Sequence, residues 1–137
     1  MRSINSAAEP RRDHFERGAT VVEFLGVMVL IVAGLLVVIQ MSVWIWARNI
    51  TMNAADEGAR TAAEIGRPLG DGEARTRLVL HDGLGGAAGS FQIAVGQDGD
   101  TVVVRASGIA PRIVPFLPAF GVSSEARAFD EDEVLRP

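Results

Sequence analysis

A single carboxylate, Glu23, lies at the amino-terminal edge of an apolar run that extends to Ala47. An ionised side chain in hydrocarbon loses its hydration and gains no partner, so an acid at this position is costly unless its charge is neutralised. Gly18 precedes Glu23 by five residues and follows the charged stretch 11–17. A charged segment, a glycine and an acid placed in this order are typical of a processing and assembly signal.

Residue types that support catalysis or metal binding are sparse elsewhere in the chain. There is no Cys and no Tyr, which excludes disulfides, thiolate metal sites and Cys nucleophiles. His14 and His81 have no second His nearby and are expected to be solvated or structural. Asp98 and Asp100 supply too few oxygens for Ca²⁺ and instead suit a turn. We therefore predict a protein that is not an enzyme and that uses no metal, cofactor or small-molecule substrate.

The apolar run predicts a transmembrane helix. Residues 24–39 carry no charged or strongly polar side chain. Extended to Ala47, the run would form about 36 Å of helix, which exceeds the roughly 30 Å of a bilayer core. It is also longer than the apolar region of about 7–15 residues in a secretory signal peptide. A single-pass anchor would explain the length of the run but would not explain the acid at position 23.

Charge predicts the orientation of this helix. The first 18 residues contain four Arg and three acids, whereas residues 48–137 contain nine Arg and thirteen acids. The positive-inside rule places the amino terminus in the cytoplasm and the acidic part outside the cytoplasmic (inner) membrane. Trp44 and Trp46 then fit anchors at the outer membrane interface. A net-acidic exterior also argues against nucleic-acid binding.

The sequence RGATVVEF at residues 17–24 resembles the cleavage junction of type IV prepilins. In that family a membrane aspartyl peptidase cuts after the glycine, on the cytoplasmic side. The resemblance implies a cut between Gly18 and Ala19, with residues 1–18 as a leader. The new ammonium group of Ala19 could then neutralise Glu23 of the same or a neighbouring subunit. Such a buried pair, beside Phe24, would set the axial register of an assembling filament.

Helical periodicity continues beyond the apolar run. A face of small residues recurs at helical spacing, formed by Ala55, Gly58, Ala59, Ala62 and Gly66. Small side chains allow another element to approach the helix closely. On the exposed side, Arg60 is expected to pair with Asp56, Glu57 or Glu64. We predict one helix from Ala19 to Glu64, stopped by Gly66 and Pro68.

The sequence NAADEGARTAA at residues 53–63 resembles the signature of TadE-like proteins, minor pilins of the tight-adherence pilus system. The residues that carry the resemblance are Ala55, Glu57, Gly58, Ala59, Arg60, Ala62 and Ala63. The resemblance implies a minor pilin that acts in adhesion, surface colonisation and biofilm formation. The implied partners are the prepilin peptidase, the inner-membrane pilus platform with its cytoplasmic ATPase, and other major and minor pilins.

The apolar run differs from many members of that family in lacking a proline. Gly26 and Gly34 are its only helix-loosening residues. Together with Ala33 they form a candidate helix-packing face. Two alternatives to a minor pilin remain open: a pseudopilin of a secretion system, and an uncleaved single-pass membrane-anchored binding or sensor protein.

The rest of the chain predicts a small α+β domain. Its expected elements are a second helix at Glu73–Leu84, a flexible glycine-rich break at 83–89, and strands at Ser90–Val95, Thr101–Ala106 and Ser124–Phe129. Asp98-Gly99-Asp100 predicts a hairpin turn, and prolines punctuate a loop at 111–118. We expect a three-stranded antiparallel sheet against the outer half of the long helix, followed by an acidic tail at 130–133.

These features divide the chain into four segments. The predicted segments are a cytoplasmic leader at 1–18, a transmembrane and assembly helix at 19–47, an extracytoplasmic half of the same helix at 48–66, and an extracytoplasmic α+β domain at 67–137.

Overall fold

The computed structural model describes residues 12–64 and 67–129, with the side chains of residues 12–17 and 19 excepted. The elements in chain order are helix α1 (Arg12–Ala63), helix α2 (Leu69–Leu84), a 3₁₀ helix (Gly85–Ser90), and strands β1 (Gln92–Asp98), β2 (Thr101–Ile109) and β3 (Gly121–Phe129). The predicted α+β class, with a long amino-terminal helix, a second helix and a three-stranded antiparallel sheet, is confirmed. The acidic tail at 130–133, Gly66 and most of the predicted leader lie outside the described residues.

The chain divides into two compact units, Met1–Val38 and Ile39–Pro137. In the first unit the described residues belong to helix α1, and the side chains of residues 20–35 are exposed. The second unit contains the remaining part of α1 and all of the other elements.

Helix α1 begins at Arg12, seven residues before the predicted start at Ala19. The prediction started the helix at the processed terminus, whereas the unprocessed chain has further residues with good helix propensity, such as Arg and Glu, ahead of the glycine. The helix ends at Ala63, one residue before the predicted end.

Helix α2 begins four residues earlier than predicted, at Leu69 rather than Glu73. Pro68 has an extended backbone at the cap position, and its carbonyl accepts a hydrogen bond from the amide of Asp71, 2.9 Å away. The negative charge of Asp71 in the first turn also interacts favourably with the positive end of the helix dipole. Two glycines in this first turn weaken the helical pattern in the sequence, which explains the late predicted start.

The glycine-rich segment after α2 is not the flexible break that the sequence predicted. It forms the 3₁₀ helix, which closes with a hydrogen bond of 3.0 Å from the amide of Phe91 to the carbonyl of Ala88. The Ser90 hydroxyl donates to the carbonyl of Ala87 at 2.9 Å. Ser90 therefore ends the 3₁₀ helix, and β1 starts two residues later than predicted, at Gln92.

The sheet has the order β1-β2-β3, and both pairs are antiparallel. Asp98 pairs with Thr101 across a two-residue turn whose first residue, Gly99, has φ of 60°. A positive φ at the first central position is the geometry of a type II′ turn, which favours glycine there. The predicted hairpin is confirmed. At the far end of the sheet Ile109 pairs with Gly121, and residues 110–120 form the loop between β2 and β3.

The core of the second unit forms between β2 and the carboxyl-terminal part of α1. One cluster joins Ala47 and Ala54 of α1 to Leu80 and to Ala106 of the sheet. The other cluster consists of buried Ala55, Ala59, Ala62 and Ala63 of α1 with Val102 and Val104 of β2. Short side chains on the helix allow the sheet to lie close to its backbone, as the small-residue pattern predicted.

Candidate functional site

The predicted cleavage junction lies within helix α1. Gly18 is helical and exposed, and a Cβ added to it would have no neighbour within 4 Å. Glu23 and Phe24 are also exposed on the helix. The junction is therefore accessible in the single chain. The ammonium group of Ala19 would exist only after a cut, so its pairing with Glu23 stays a prediction.

The candidate packing residues of the apolar segment have no partner in the single chain. Gly26, Ala33 and Gly34 are exposed, and a Cβ on either glycine would meet nothing within 4 Å. Their role in helix packing stays a prediction for an assembly of several chains.

The stretch Thr20–Ala63 of helix α1 contains a window of 18 residues with a mean hydropathy of 2.9, none of them buried. An apolar and uncovered window of this length would be highly unfavourable in water, and the length of the run suits a bilayer. Helix α1 thus provides the transmembrane helix of a single-pass membrane protein.

The signature segment has one buried and one exposed face. Its small residues Ala55, Gly58, Ala59, Ala62 and Ala63 are buried. Glu57 and Arg60 are exposed. The segment therefore combines a packing face inside the second unit with a charged face toward its surroundings.

Gly58 lies at a close contact between α1 and α2. A Cβ on Gly58 would lie 1.9 Å from Oγ1 of Thr76 and 2.8 Å from the carbonyl oxygen of Gly72. A Cβ on Gly72 would in turn lie 2.7 Å from the carbonyl oxygen of Gly58 and 2.6 Å from Cβ of Ala62. These distances are too short for any side chain at either position. The glycine of the signature is therefore required by the contact between the two helices.

The charged face pairs differently from the prediction. Arg60 binds Asp56 at 2.8 Å, as expected, but Glu57 accepts hydrogen bonds from Arg75 of α2 at 3.2 and 3.3 Å. Glu64 pairs with Arg67 at 2.7 Å rather than with Arg60. The close contact between α1 and α2 at Gly58 brings Arg75 within reach of Glu57, which local helix spacing cannot reveal.

Gln40 is a functional residue that was not predicted from the sequence. Its side chain is 2 % exposed. Its Nε2 atom donates to the carbonyl of Pro111 at 3.2 Å, and its Oε1 atom accepts from the amides of Ile113 and Val114 at 3.1 and 3.3 Å. One amide side chain therefore ties α1 to the loop between β2 and β3. The available signal was a lone polar residue inside an apolar run.

Trp44 also joins α1 to this end of the sheet. Its indole Nε1 donates to the carbonyl of Gly121 at 3.2 Å, and the Arg48 guanidinium lies 5.8 Å from the centre of its ring. Trp46 is 46 % exposed. The anchoring of both tryptophans at a membrane interface stays a prediction, and the contacts of Trp44 within the second unit were not predicted.

A cluster of charges lies on the side of the sheet away from α1. Glu125 of β3 lies between Arg105 and Arg127, which both donate to it. The hydrogen bond from Arg105, with that from Arg127, holds the pKa of Glu125 below its usual value. Within residues 12–64 and 67–129, no group of three or more His, Asp or Glu side chains is arranged to hold a metal ion. We interpret these ion pairs as contacts that stabilise the exposed face of the sheet.

Comparison with known protein families gives a match over part of the chain. Residues 18–60 match the family model described as TadE-like protein, a segment that begins at the junction glycine and ends at Arg60 of the signature. No curated protein and no solved structure matches the chain significantly. The matched segment contains Gly18, Glu23 and the contact residue Gly58. By this match, residues 18–60 are similar to the TadE-like protein family.

Proposed function

We propose that the chain is a minor pilin of a Tad-type pilus, processed after Gly18 and incorporated into, or priming, a surface pilus for adhesion and biofilm formation. The observation that carries the proposal is the extent of the family match, which begins at Gly18 and reaches Arg60. That segment includes the junction, the acid at position 23 and the helix that continues into the second unit.

The exposure of the apolar helix supports a role in assembly. Side chains at 20–35 have no contact within their own chain that buries them. In the membrane, lipid would cover these side chains. In a filament, the same surface would be covered by neighbouring pilin helices, so a subunit could leave the bilayer without exposing apolar area to water. The second unit has its own core and does not need this surface for folding.

The acid at position 23 then acts in subunit register. Before cleavage the carboxylate lies at the edge of the membrane, where headgroups and water are available as partners. After cleavage the ammonium group of Ala19 provides a cation on its own or a neighbouring chain, and the pair lowers the cost of burying both charges. A misaligned subunit would leave one charge unpaired in an apolar seam, so the correct alignment is favoured.

Cleavage requires a local change in α1. The junction lies in a helix that begins at Arg12, and a peptidase cleft accepts an extended backbone. Glycine is among the weakest helix formers, by about 1 kcal/mol relative to alanine, and the ends of helices open readily. Gly18 therefore lowers the cost of unwinding the first two turns. In this proposal the prepilin peptidase acts from the cytoplasmic side of the inner membrane, and the second unit lies outside.

The further partners follow from the same proposal. The subunit would bind the inner-membrane pilus platform and would pack against other major and minor pilins. Its exposed residues Gly26, Ala33 and Gly34 would form the close helix contacts between subunits.

Intact-mass measurement of the membrane-extracted protein tests processing. We expect the mass of a chain that begins at Ala19 in cells with the peptidase and of the full chain in cells without it. Gly18→Ala should block the cut while leaving the fold intact, because a Cβ at this position meets nothing within 4 Å. A mass that always includes residues 1–18 would contradict the pilin proposal and favour an uncleaved membrane-anchored binding or sensor protein.

Sheared surface filaments distinguish a pilus from a secretion system. We expect the processed chain in the filament fraction, together with a loss of surface attachment when its gene is deleted. Processing without filaments, accompanied by a defect in secretion, would instead indicate a pseudopilin.

A further inference from the structure

The loop between β2 and β3 exposes large apolar side chains. Phe116 is 73 % exposed and Ile113 is 60 % exposed. The loop is nevertheless folded, because Val114 is buried and its carbonyl accepts a hydrogen bond of 3.2 Å from the amide of Leu117. Phe116 is thus presented at a defined turn. Large exposed apolar side chains grouped in one loop mark a protein or membrane interaction site.

Gln40 fixes this loop beside the point where α1 leaves its most apolar stretch. The amide of Gln40 binds the backbone of Pro111, Ile113 and Val114. Residues 24–39, directly before Gln40, contain no charged or strongly polar side chain. The loop is therefore tied to the helix at the first polar residue after that stretch.

The length of a membrane span places Gln40 at the level of the bilayer. A helix needs about 20 residues to cross the hydrocarbon core. A span that begins at Thr20 would end at about Ile39, and one that begins at Phe24 would end at about Val43. Gln40 lies at the end of the core in the first case and just inside it in the second. In both cases the attached loop lies at the membrane interface.

The polar groups of the loop are suited to an environment with little water. Unpaired backbone groups are costly near hydrocarbon. Gln40 satisfies the carbonyl of Pro111 and two amides, and the prolines at 111, 115 and 118 have no N–H to satisfy. The same region therefore offers few unpaired donors together with large apolar side chains.

Its charge fits a lipid headgroup. Arg112 is exposed between Pro111 and Ile113, and it belongs to none of the ion pairs seen among the described residues. An arginine beside inserted apolar side chains can direct its guanidinium toward lipid phosphate while its stem stays in the apolar region. On α1, the nearby Met41 and Ile45 are also exposed.

We propose that residues 111–118, the proline loop, form a second membrane contact, in which Ile113 and Phe116 insert into the bilayer interface and Arg112 binds lipid phosphate. The occupant of this surface is lipid, because Gln40 holds the loop beside the end of the apolar membrane-spanning stretch of α1. The contact would fix the orientation of the second unit on the membrane. It depends on the transmembrane helix and not on processing or pilus assembly.

Single-cysteine labelling tests the proposal directly, because the chain contains no cysteine. Phe116→Cys and Ile113→Cys in the full chain would each be labelled with an environment-sensitive fluorophore and reconstituted in phosphatidylcholine–phosphatidylglycerol vesicles that contain nitroxide lipids. Asp100→Cys is the matched control, since it lies in the exposed turn at the opposite end of β2. We expect blue-shifted emission and severalfold stronger lipid quenching at positions 113 and 116 than at position 100.

Two further measurements make the result decisive. Adding Gln40→Leu to the labelled Phe116→Cys chain removes all three hydrogen bonds that hold the loop, and we expect lipid quenching to fall toward the control level. Water-like emission and control-level quenching at both loop positions would overturn the proposal. A blue shift that lipid nitroxides do not quench, and that is lost on dilution to one chain per vesicle, would also overturn it and would indicate a second copy of the chain.

Discussion

Gly58 of α1 and Gly72 of α2 pack backbone against backbone, each at a distance from the other's carbonyl oxygen that leaves no room for a Cβ. The two glycines fix the contact between the helices, and this contact in turn allows Arg75 to reach Glu57. The glycine of the family signature therefore has a structural explanation within one chain.

We predict that Gly58→Ala destabilises the second unit. The new methyl group would lie 1.9 Å from Oγ1 of Thr76, so the helices must separate. Overpacking of this kind costs about 1–3 kcal/mol. Thermal unfolding of the full chain in detergent, followed by circular dichroism, measures the effect. Gly70→Ala is the matched control, because its Cβ meets nothing and alanine favours a helix. Equal melting temperatures for both variants would contradict the assigned role of Gly58.

Gln40→Ala should loosen the proline loop without unfolding the sheet. It leaves two backbone amides and one carbonyl of the loop without their partner, at a cost of about 1–3 kcal/mol for such buried groups. Hydrogen exchange of the amides of Ile113 and Val114 should accelerate, while amides of β2 stay protected. Gln92→Ala replaces an exposed glutamine and serves as the control. Unchanged protection at 113 and 114 would show that the hydrogen bonds of Gln40 are not needed to hold the loop.

Glu23→Ala should give a chain that is cleaved but does not assemble. Cleavage depends on the backbone around Gly18, whereas register depends on the carboxylate that pairs with the new amino terminus. Intact mass reports the cut, and the filament fraction reports assembly. Glu73→Ala removes an acid that forms a surface pair with Arg77, so it should leave both readouts unchanged. Normal pili in the Glu23 variant would refute the register role.

Acid should weaken the second unit in part through Glu125. Hydrogen bonds from Arg105 and then Arg127 lower the pKa of this carboxyl below its usual value. A group whose pKa is lower in the folded than in the unfolded state adds stability above the unfolded pKa, and this stability is lost as pH falls through the folded pKa. We expect Glu125→Gln to flatten the dependence of melting temperature on pH below about 4.5. Identical pH profiles for the two chains would contradict this assignment.

Local patterns made several elements predictable. The apolar run at 24–39 indicated the transmembrane helix, because crossing a bilayer requires a length and composition that are visible in one segment. Gly99 indicated the hairpin, because a tight turn needs a residue that adopts positive φ. The recurrence of small residues around Gly58 indicated a packing face. In each case the pattern that reveals the feature lies within one short segment of the sequence.

Some boundaries of helices and strands were predicted less well, because contacts with neighbouring elements determine them. The glycines at 70 and 72 made the first turn of α2 look irregular, although packing against α1 holds it helical. The glycine-rich segment after α2 looked flexible, yet hydrogen bonds within it and from Phe91 form a 3₁₀ helix. Propensity alone underestimated the order that neighbouring elements provide.

The amino-acid sequence by itself determined the transmembrane helix, the α+β class, the hairpin and the processing and signature motifs, since each depends on spacing along the chain. Only the tertiary structure decided which partners Gln40, Trp44 and Glu57 bind. Their partners are Pro111 and its neighbours, Gly121 and Arg75, and the nearest of these is 18 residues away in sequence. The local sequence around a polar side chain does not reveal such a partner, because the pairing arises only when the sheet and α2 pack against α1.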